Sequence, residues 1–121
     1  MKKFILLTTC LLVSFTAFSQ TITSASSGQW NDESIWVGGT APTSGNDVVI
    51  AHNVTCSTQK TANSLTVNAG VTLTIATSGR LTITNAVTDN GNILVKGTET
   101  SSGSFIAKTA TGVSNLSVEI F

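Results

Sequence analysis

The chain has 121 residues, only 10% of them charged, and its formal net charge at pH 7 is zero. The six Lys and Arg residues are balanced by six Asp and Glu residues, so the composition provides no basic face for nucleic acid or for an anionic membrane. Roughly a hundred residues follow an N-terminal leader, which is enough for one small domain.

Residues 1–19 have the pattern of a secretory signal peptide. The pair Lys2-Lys3 supplies positive charge, residues 4–13 are almost wholly apolar, and small side chains at 17 and 19 precede a cleavage position before Gln20. The apolar run is too short for a stable membrane anchor. The sequence therefore predicts export to the outer cell surface or the medium, with no membrane span after the leader is removed.

Residues 20–46 are predicted to form an N-terminal cap segment, and they contain both tryptophans, Trp30 and Trp36, and the single proline, Pro42. Exposed aromatic faces would stack on sugar rings, which is the basis of a carbohydrate-binding hypothesis. The place of both tryptophans directly before the first strand favours a second hypothesis, in which they cover the open end of a stacked core.

Residues 47–121 contain a series of short strand motifs in which two apolar residues flank one residue of any type. Period-two alternation separated by Gly, Asn, Thr and Ser predicts half-buried strands. The pairs are Val48/Ile50, Val54/Cys56, Leu65/Val67, Leu73/Ile75, Leu81/Ile83, Ile93/Val95, Phe105/Ala107 and Leu116/Val118.

Strands two apart in this series are separated by roughly 16 to 24 residues, which is the length of one coil of a β-solenoid. We expect stacking of Val48 on Leu65, of Leu65 on Leu81, and of Leu73 on Ile93. The predicted fold class is all-β, a right-handed parallel β-helix or solenoid. A β-sandwich would give the same alternation and is the alternative.

Glycines at a step of twelve mark an internal repeat, in which Gly79, Gly91 and Gly103 each precede a strand, and Ser114 follows eleven residues later. Glycine adopts positive φ without steric cost, so these positions are predicted to be corners.

Cysteine chemistry is not expected. Cys10 lies in the leader, where residues 7–10 weakly resemble a lipobox, although the apolar run continues past them. Cys56 alone remains after cleavage, so no internal disulfide can form. Its alternation with Val54 predicts a small buried apolar side chain rather than a reactive thiol.

Few residues could carry out chemistry. Asp32 and Glu33 are predicted to form a polar turn, and Asp47 a turn in which its carboxylate accepts from nearby backbone amides. A calcium site or a glycoside hydrolase would need these carboxylates to converge. The single histidine, His52, is predicted at a solvent-facing turn. We therefore predict no enzyme activity, no cofactor and no metal site, and the candidate ligand-binding or capping residues are Trp30, Trp36 and Asp47.

A resemblance to a known family rests on four motifs in fixed order: Gly-x-Trp ending at Trp30, Trp-x-Gly-Gly starting at Trp36, Pro42, and Asp-x-x-Ile starting at Asp47. This order resembles the start of right-handed β-helix regions in secreted, adhesin-like surface proteins of Bacteroidetes-type bacteria, and it is distantly similar to the eight-glycine extracellular domain. The resemblance spans about residues 26 to 118 and implies a scaffold at the cell surface. Many proteins of this kind are type IX secretion cargo, sorted to the surface by a C-terminal tail. No such tail is recognised in these 121 residues, so the sequence does not predict which secretion route follows the signal peptide.

The predicted function is that of a non-catalytic structural or adhesion module of an exported cell-surface protein. A carbohydrate-binding module using Trp30 and Trp36 is the first alternative, and an N-terminal fragment of a polysaccharide-active enzyme is the second. The apolar strand at residues 118–121 ends without a polar cap. We therefore expect the C-terminal edge to meet the remainder of a larger parent chain or a second copy, with polysaccharide as a further candidate partner.

Overall fold

The computed structural model describes residues 19–98, 101–111 and 116–120. Its short strands pair in parallel into two sheets, joined by corners and by one 3-10 helix, Glu33–Ile35. In chain order the strands are β1 (Thr21–Thr23), β2 (Gly28–Gln29), β3 (Asp47–Ile50), β4 (Val54–Cys56), β5 (Gln59–Ala62), β6 (Ser64–Val67), β7 (Thr72–Ile75), β8 (Arg80–Asp89), β9 (Asn92–Gly97), β10 (Ser104–Thr111) and β11 (Leu116–Ile120).

The chain winds as a parallel β-solenoid. One sheet has the order β1-β3-β6-β8-β10, with β5 also alongside β8, and the other has the order β2-β4-β7-β9-β11. Each coil, meaning one turn of the chain about the long axis, therefore contributes to both sheets. Every pairing between these named strands is parallel, which confirms the solenoid prediction and rules out a β-sandwich of antiparallel sheets.

The register confirms two of the three expected stacking pairs. Val48 lies beside Leu65, and Leu73 lies beside Ile93. The third expectation was wrong, because Leu65 pairs with Val87.

Two features that the apolar pattern does not reveal cause this error in register. The third coil begins with a separate strand, β5, whose residues Gln59 and Lys60 break the apolar alternation, and it is β5 that pairs with the first half of β8. In addition, Ala62 pairs with Ile83 while Leu65 pairs with Val87, so β8 contains one residue more than its neighbour over this stretch. A bulge of this kind accommodates the extra residue by bending the strand.

The core is a set of columns running along the solenoid axis. Most inward positions are occupied by a Val, Leu or Ile that is almost completely buried, because neighbouring coils place the same face of the pleat at the same height. Burying one such side chain stabilises the fold by roughly 1.5–3 kcal/mol. The buried columns include Val48, Leu65 and Val87 in one sheet and Val54, Leu73 and Ile93 in the other.

The repeat glycines lie at corners, as predicted, but the reason given for glycine was wrong. Among the described residues the glycines with positive φ are Gly28, Gly38, Gly39 and Gly70, so Gly79, Gly91 and Gly103 do not need that conformation. Glycine is needed at these positions because the backbone of the preceding coil passes too close to leave room for a Cβ atom. A Cβ built on Gly79 would lie 2.1 Å from the carbonyl oxygen of Cys56, and one on Gly91 would lie 2.3 Å from that of Asn68.

Replacing Gly79 with alanine should therefore destabilise the fold by about 2–4 kcal/mol, because an overpacked site forces the backbone to move. Gly45 is the matched control, since a Cβ there would have nothing within 4 Å and its φ is not in the left-handed region. Gly45→Ala should change the free energy of unfolding in urea by less than about 1 kcal/mol. Equal effects of the two substitutions would contradict the close-approach explanation.

Candidate functional site

The N-terminal segment folds across the outer edge of the first coil. After β1, Ser24 forms an antiparallel bridge with Trp36, and the amide of Val37 donates to the carbonyl of Thr23 at 2.9 Å. The amide of Ala25 donates to the carbonyl of Ile35 at 2.6 Å. These bonds engage the edge of β1 that faces away from β3, so the sheet does not present a free strand edge at this position.

Both tryptophans of this segment are buried. The exposed fraction is 0% for Trp30 and 2% for Trp36, and their ring centroids are 5.3 Å apart in an edge-to-face arrangement with an interplanar angle of 66°. The indole Nε1 of Trp36 donates to the carbonyl of Trp30 at 2.8 Å. Stacking on a sugar needs an exposed ring face, and neither indole has one.

Asp32 caps the 3-10 helix between the tryptophans. Its Oδ1 accepts from the amide of Ser34 at 3.0 Å and from the Ser34 hydroxyl at 2.6 Å. The hydroxyl and then the amide lower the pKa of Asp32 below its ordinary value. Asp32 and Glu33 are both exposed and form the polar turn that was predicted.

Asp47 contacts different groups from those expected. Its Oδ1 accepts from the Nδ2 of Asn63 and from the hydroxyl of Ser64, each at 2.7 Å, and both partners belong to the next coil. Burial alone would raise the pKa of Asp47, but the hydrogen bonds from Ser64, Asn63 and Ser19 together lower it. The expected bonds to nearby backbone amides were wrong, because parallel stacking places the side chains of the next coil closer to the carboxylate than its own turn.

Asp47 adjoins a column of asparagines that sequence reasoning missed. The amide of Asn63 donates to the carbonyl of Asn46, and the amide of Asn85 donates to the carbonyl of Asn63, each at 2.8 Å. The side-chain amide of Asn85 also donates to the Oδ1 of Asn63. Successive coils are thus joined at the same corner by backbone and side-chain bonds together.

A signal for this column was present in the sequence. Each asparagine comes two residues before an inward apolar residue, so the three units read Asn46-x-Val48, Asn63-x-Leu65 and Asn85-x-Val87. Aligning the units on their asparagines, rather than on the apolar pairs, would have given Val87 as the partner of Leu65.

His52 and Ser24 form a second set of hydrogen bonds between neighbouring coils. The hydroxyl oxygen of Ser24 accepts from the amides of Ala51 and His52 at 2.8 and 3.1 Å, and the imidazole Nδ1 lies 3.2 Å from the Ser24 carbonyl and 3.3 Å from its hydroxyl. Ser24 is buried, and two amides already occupy its lone pairs, so the serine is poorly placed to act as a nucleophile. His52 is half-buried against this serine, so the predicted solvent-facing turn was only partly correct.

Cys56 is buried, with an exposed fraction of 0%, as its alternation with Val54 predicted. Its thiol donates to the carbonyl of Thr58 at 3.2 Å. Burial raises the pKa of the Cys56 thiol above its ordinary value, more than the bond to Thr58 and the charge of Lys60 lower it. A buried, protonated thiol is a weak nucleophile.

The described ranges show no further binding feature. Residues 19–98, 101–111 and 116–120 contain no group of three His, Cys, Asp or Glu side chains that could hold a metal ion, and no pocket opens among them. No helix in this part of the chain is both long and apolar enough to cross a membrane. Comparison with protein-family models, with curated proteins and with solved structures found no match.

Removing the Asp47 carboxylate should destabilise the protein in a pH-dependent way. Because its pKa is lowered in the folded state, its contribution is present above the unfolded value near 4 and is lost as the pH falls through the folded value. Asp47→Ala should lower the free energy of unfolding by about 1 kcal/mol at pH 7, since the site is partly open to solvent.

The matched control is Glu33→Ala, which removes the same charge from an exposed side chain and should have an effect within about 0.5 kcal/mol. Urea denaturation from pH 2.5 to 7 measures both variants. A deficit in Asp47→Ala that is as large at pH 2.5 as at pH 7 would argue against a role for the ionised carboxylate.

Proposed function

We propose that this chain is a non-catalytic structural module of an exported cell-surface protein, in which a stack of hydrogen-bonded coils spaces or presents other parts of the protein. The observation that carries this proposal is the apolar core that successive coils share. Inward columns of buried apolar residues run from the first coil onward, and Trp30 and Trp36 are buried in the same cluster.

The stacking also supports a mechanical role. Four successive parallel pairings between coils link β1, β3, β6, β8 and β10 in one sheet, and four more link β2, β4, β7, β9 and β11 in the other. The Asn46-Asn63-Asn85 column and the contacts of Asp47 with Asn63 add side-chain bonds along the same axis. Such a stack is stabilised mainly by contacts between neighbouring coils, so it acts as a stiff spacer whose length increases with the number of coils.

The surface location is proposed from the leader at residues 1–19 and from the resemblance to β-helix regions of secreted adhesin-like proteins. Two residues of the shared motifs, Trp30 and Trp36, are buried here and joined by a hydrogen bond, which supports a role in folding as a cap on the first coil. Adhesion would then depend on outward side chains and on neighbouring domains rather than on the tryptophans. The carbohydrate-binding alternative would need a surface other than these two rings.

Trp36→Ala tests the scaffold proposal against the carbohydrate proposal. Removing a fully buried indole that also bonds the Trp30 carbonyl should lower the free energy of unfolding by about 3–5 kcal/mol, a large part of the total for a small domain. The neighbouring control is Val37→Ala, whose side chain is 61% exposed and whose loss should change stability by less than about 0.5 kcal/mol.

Thermal and urea denaturation followed by β-sheet circular dichroism measure these effects, with and without soluble polysaccharides. Tryptophan emission in the unmutated protein should be blue-shifted and should not change with polysaccharide, because both rings are buried. An unchanged melting curve in Trp36→Ala would contradict the capping role. A saturable emission shift with polysaccharide would favour the carbohydrate-binding alternative.

Export has its own test. Expression of the full chain in a bacterium with an outer membrane should give an extracytoplasmic product that intact-mass spectrometry identifies as beginning at Gln20. Replacing Leu11 and Leu12 by arginine should interrupt the apolar run and leave the uncleaved chain inside the cell. Cytoplasmic retention of the unmutated chain would argue against the proposed location.

A further inference from the structure

Asp89 is a carboxylic acid in a position that belongs to the core. It is the last residue of β8, and the parallel register places it beside Val67, which in turn lies beside Ile50. Both neighbours in this column are completely buried, and Asp89 itself is only 3% exposed. The fourth coil thus has an ionisable group where the second and third coils have aliphatic side chains.

The hydrogen bonding of this carboxyl group is incomplete. Its Oδ1 accepts from the amide of Gly91 at 3.0 Å, while its Oδ2 is buried without a hydrogen-bond partner among the described residues. A buried carboxylate with one unsatisfied oxygen is costly, whereas the neutral acid carries a much smaller desolvation penalty. Burial accordingly raises the pKa of Asp89, more than the bond from the Gly91 amide lowers it.

Among the side chains that the structure describes, none adds to the bond from the Gly91 amide in offsetting this burial. The neighbouring strand β6 contributes Val67 and has no ionisable residue, and the corner that follows contributes Gly91. In β9 the only ionisable residue is Lys96, which alternates with buried Val95 and Gly97 and so lies on the outer face. Strand β10 lies on the opposite side of β8 from β6, and its sequence contains Lys108. Lys108 comes three residues before Thr111, and Thr111 pairs with Thr88, the residue before Asp89.

The corner around Asp89 also bonds directly to the third coil. The amide of Asn90 donates to the carbonyl of Val67 at 2.9 Å, and the amide of Asn92 donates to that of Val71 at 3.0 Å. A Cβ on Gly91 would lie 2.3 Å from the carbonyl oxygen of Asn68, so the two corners are in close contact. Moving Asp89 out of the core would therefore disturb the contacts between these corners.

We propose that the corner from Asp89 to Asn92 is a pH-dependent latch, closed on the third coil while the buried acid keeps its proton and opening more often as that acid ionises. Opening exposes the carboxyl group to water, where it ionises at its ordinary value near 4. Between that value and the higher folded-state value, each opening releases a proton. The opening equilibrium should therefore rise by up to tenfold per pH unit across this window and become constant above it.

Amide hydrogen exchange of the mature protein, followed by NMR from pH 3 to 7 and corrected for intrinsic rates, tests the latch. The protection factors of Asn90 and Asn92 should fall as the pH rises through the window, with a slope of up to one decade per pH unit. In Asp89→Asn, which keeps an acceptor for the Gly91 amide but cannot ionise, the slope should be zero. Asp32→Asn, at an exposed carboxyl far along the chain, should keep the slope of the unmutated protein.

The carbon-13 titration of the Asp89 carboxyl in the unmutated protein decides the question even if Asp89→Asn does not fold. An inflection above the ordinary aspartate value together with a sloping protection factor supports the latch. An inflection at or below that value overturns it, and so does protection at Asn90 and Asn92 that is independent of pH. A slope that persists in Asp89→Asn would assign the effect to another group and would also overturn the proposal.

Discussion

The parallel hydrogen-bond ladder between successive coils is the constraint on which the rest of this structure depends. It fixes the separation of neighbouring strands and gives every side chain a counterpart of the same orientation one coil away. Inward positions therefore become apolar columns such as Val54, Leu73 and Ile93. The same spacing leaves no room for a side chain at Gly79 and Gly91, where two corners cross in close contact.

The parallel ladder also determines which polar side chains come together. Asn46, Asn63 and Asn85 bond to one another because the ladder brings identical corners together, and Asp47 bonds to Asn63 for the same reason. These polar groups are partly buried or exposed, and the next coil supplies their partners. Asp89 differs from them, because it is almost completely buried and one of its oxygens has no hydrogen-bond partner within the described ranges.

The alternation of apolar residues was enough to predict the parallel stacking and all of the strands except β1, β2 and β5, because both follow from the period of the pleat and the length of a coil. It was not enough to predict the partner of Leu65. The bulge in β8 and the polar strand β5 change the coil length without changing the local pattern. The partners of Asp47 and the burial of both tryptophans depend on contacts between residues far apart in sequence, which a local pattern does not contain.

The bonds that close the N-terminal edge connect residues that lie close together in the chain. Ala25 and Val37 bond to Ile35 and Thr23, and the indole of Trp36 bonds to Trp30 only six positions away. Contacts with such short loops form quickly and at a small entropic cost. A chain that emerges from a membrane pore with its N-terminus first could therefore complete this end before most of the coils have appeared. Each later coil would then be added to an existing template, and the order of emergence would set the direction of assembly.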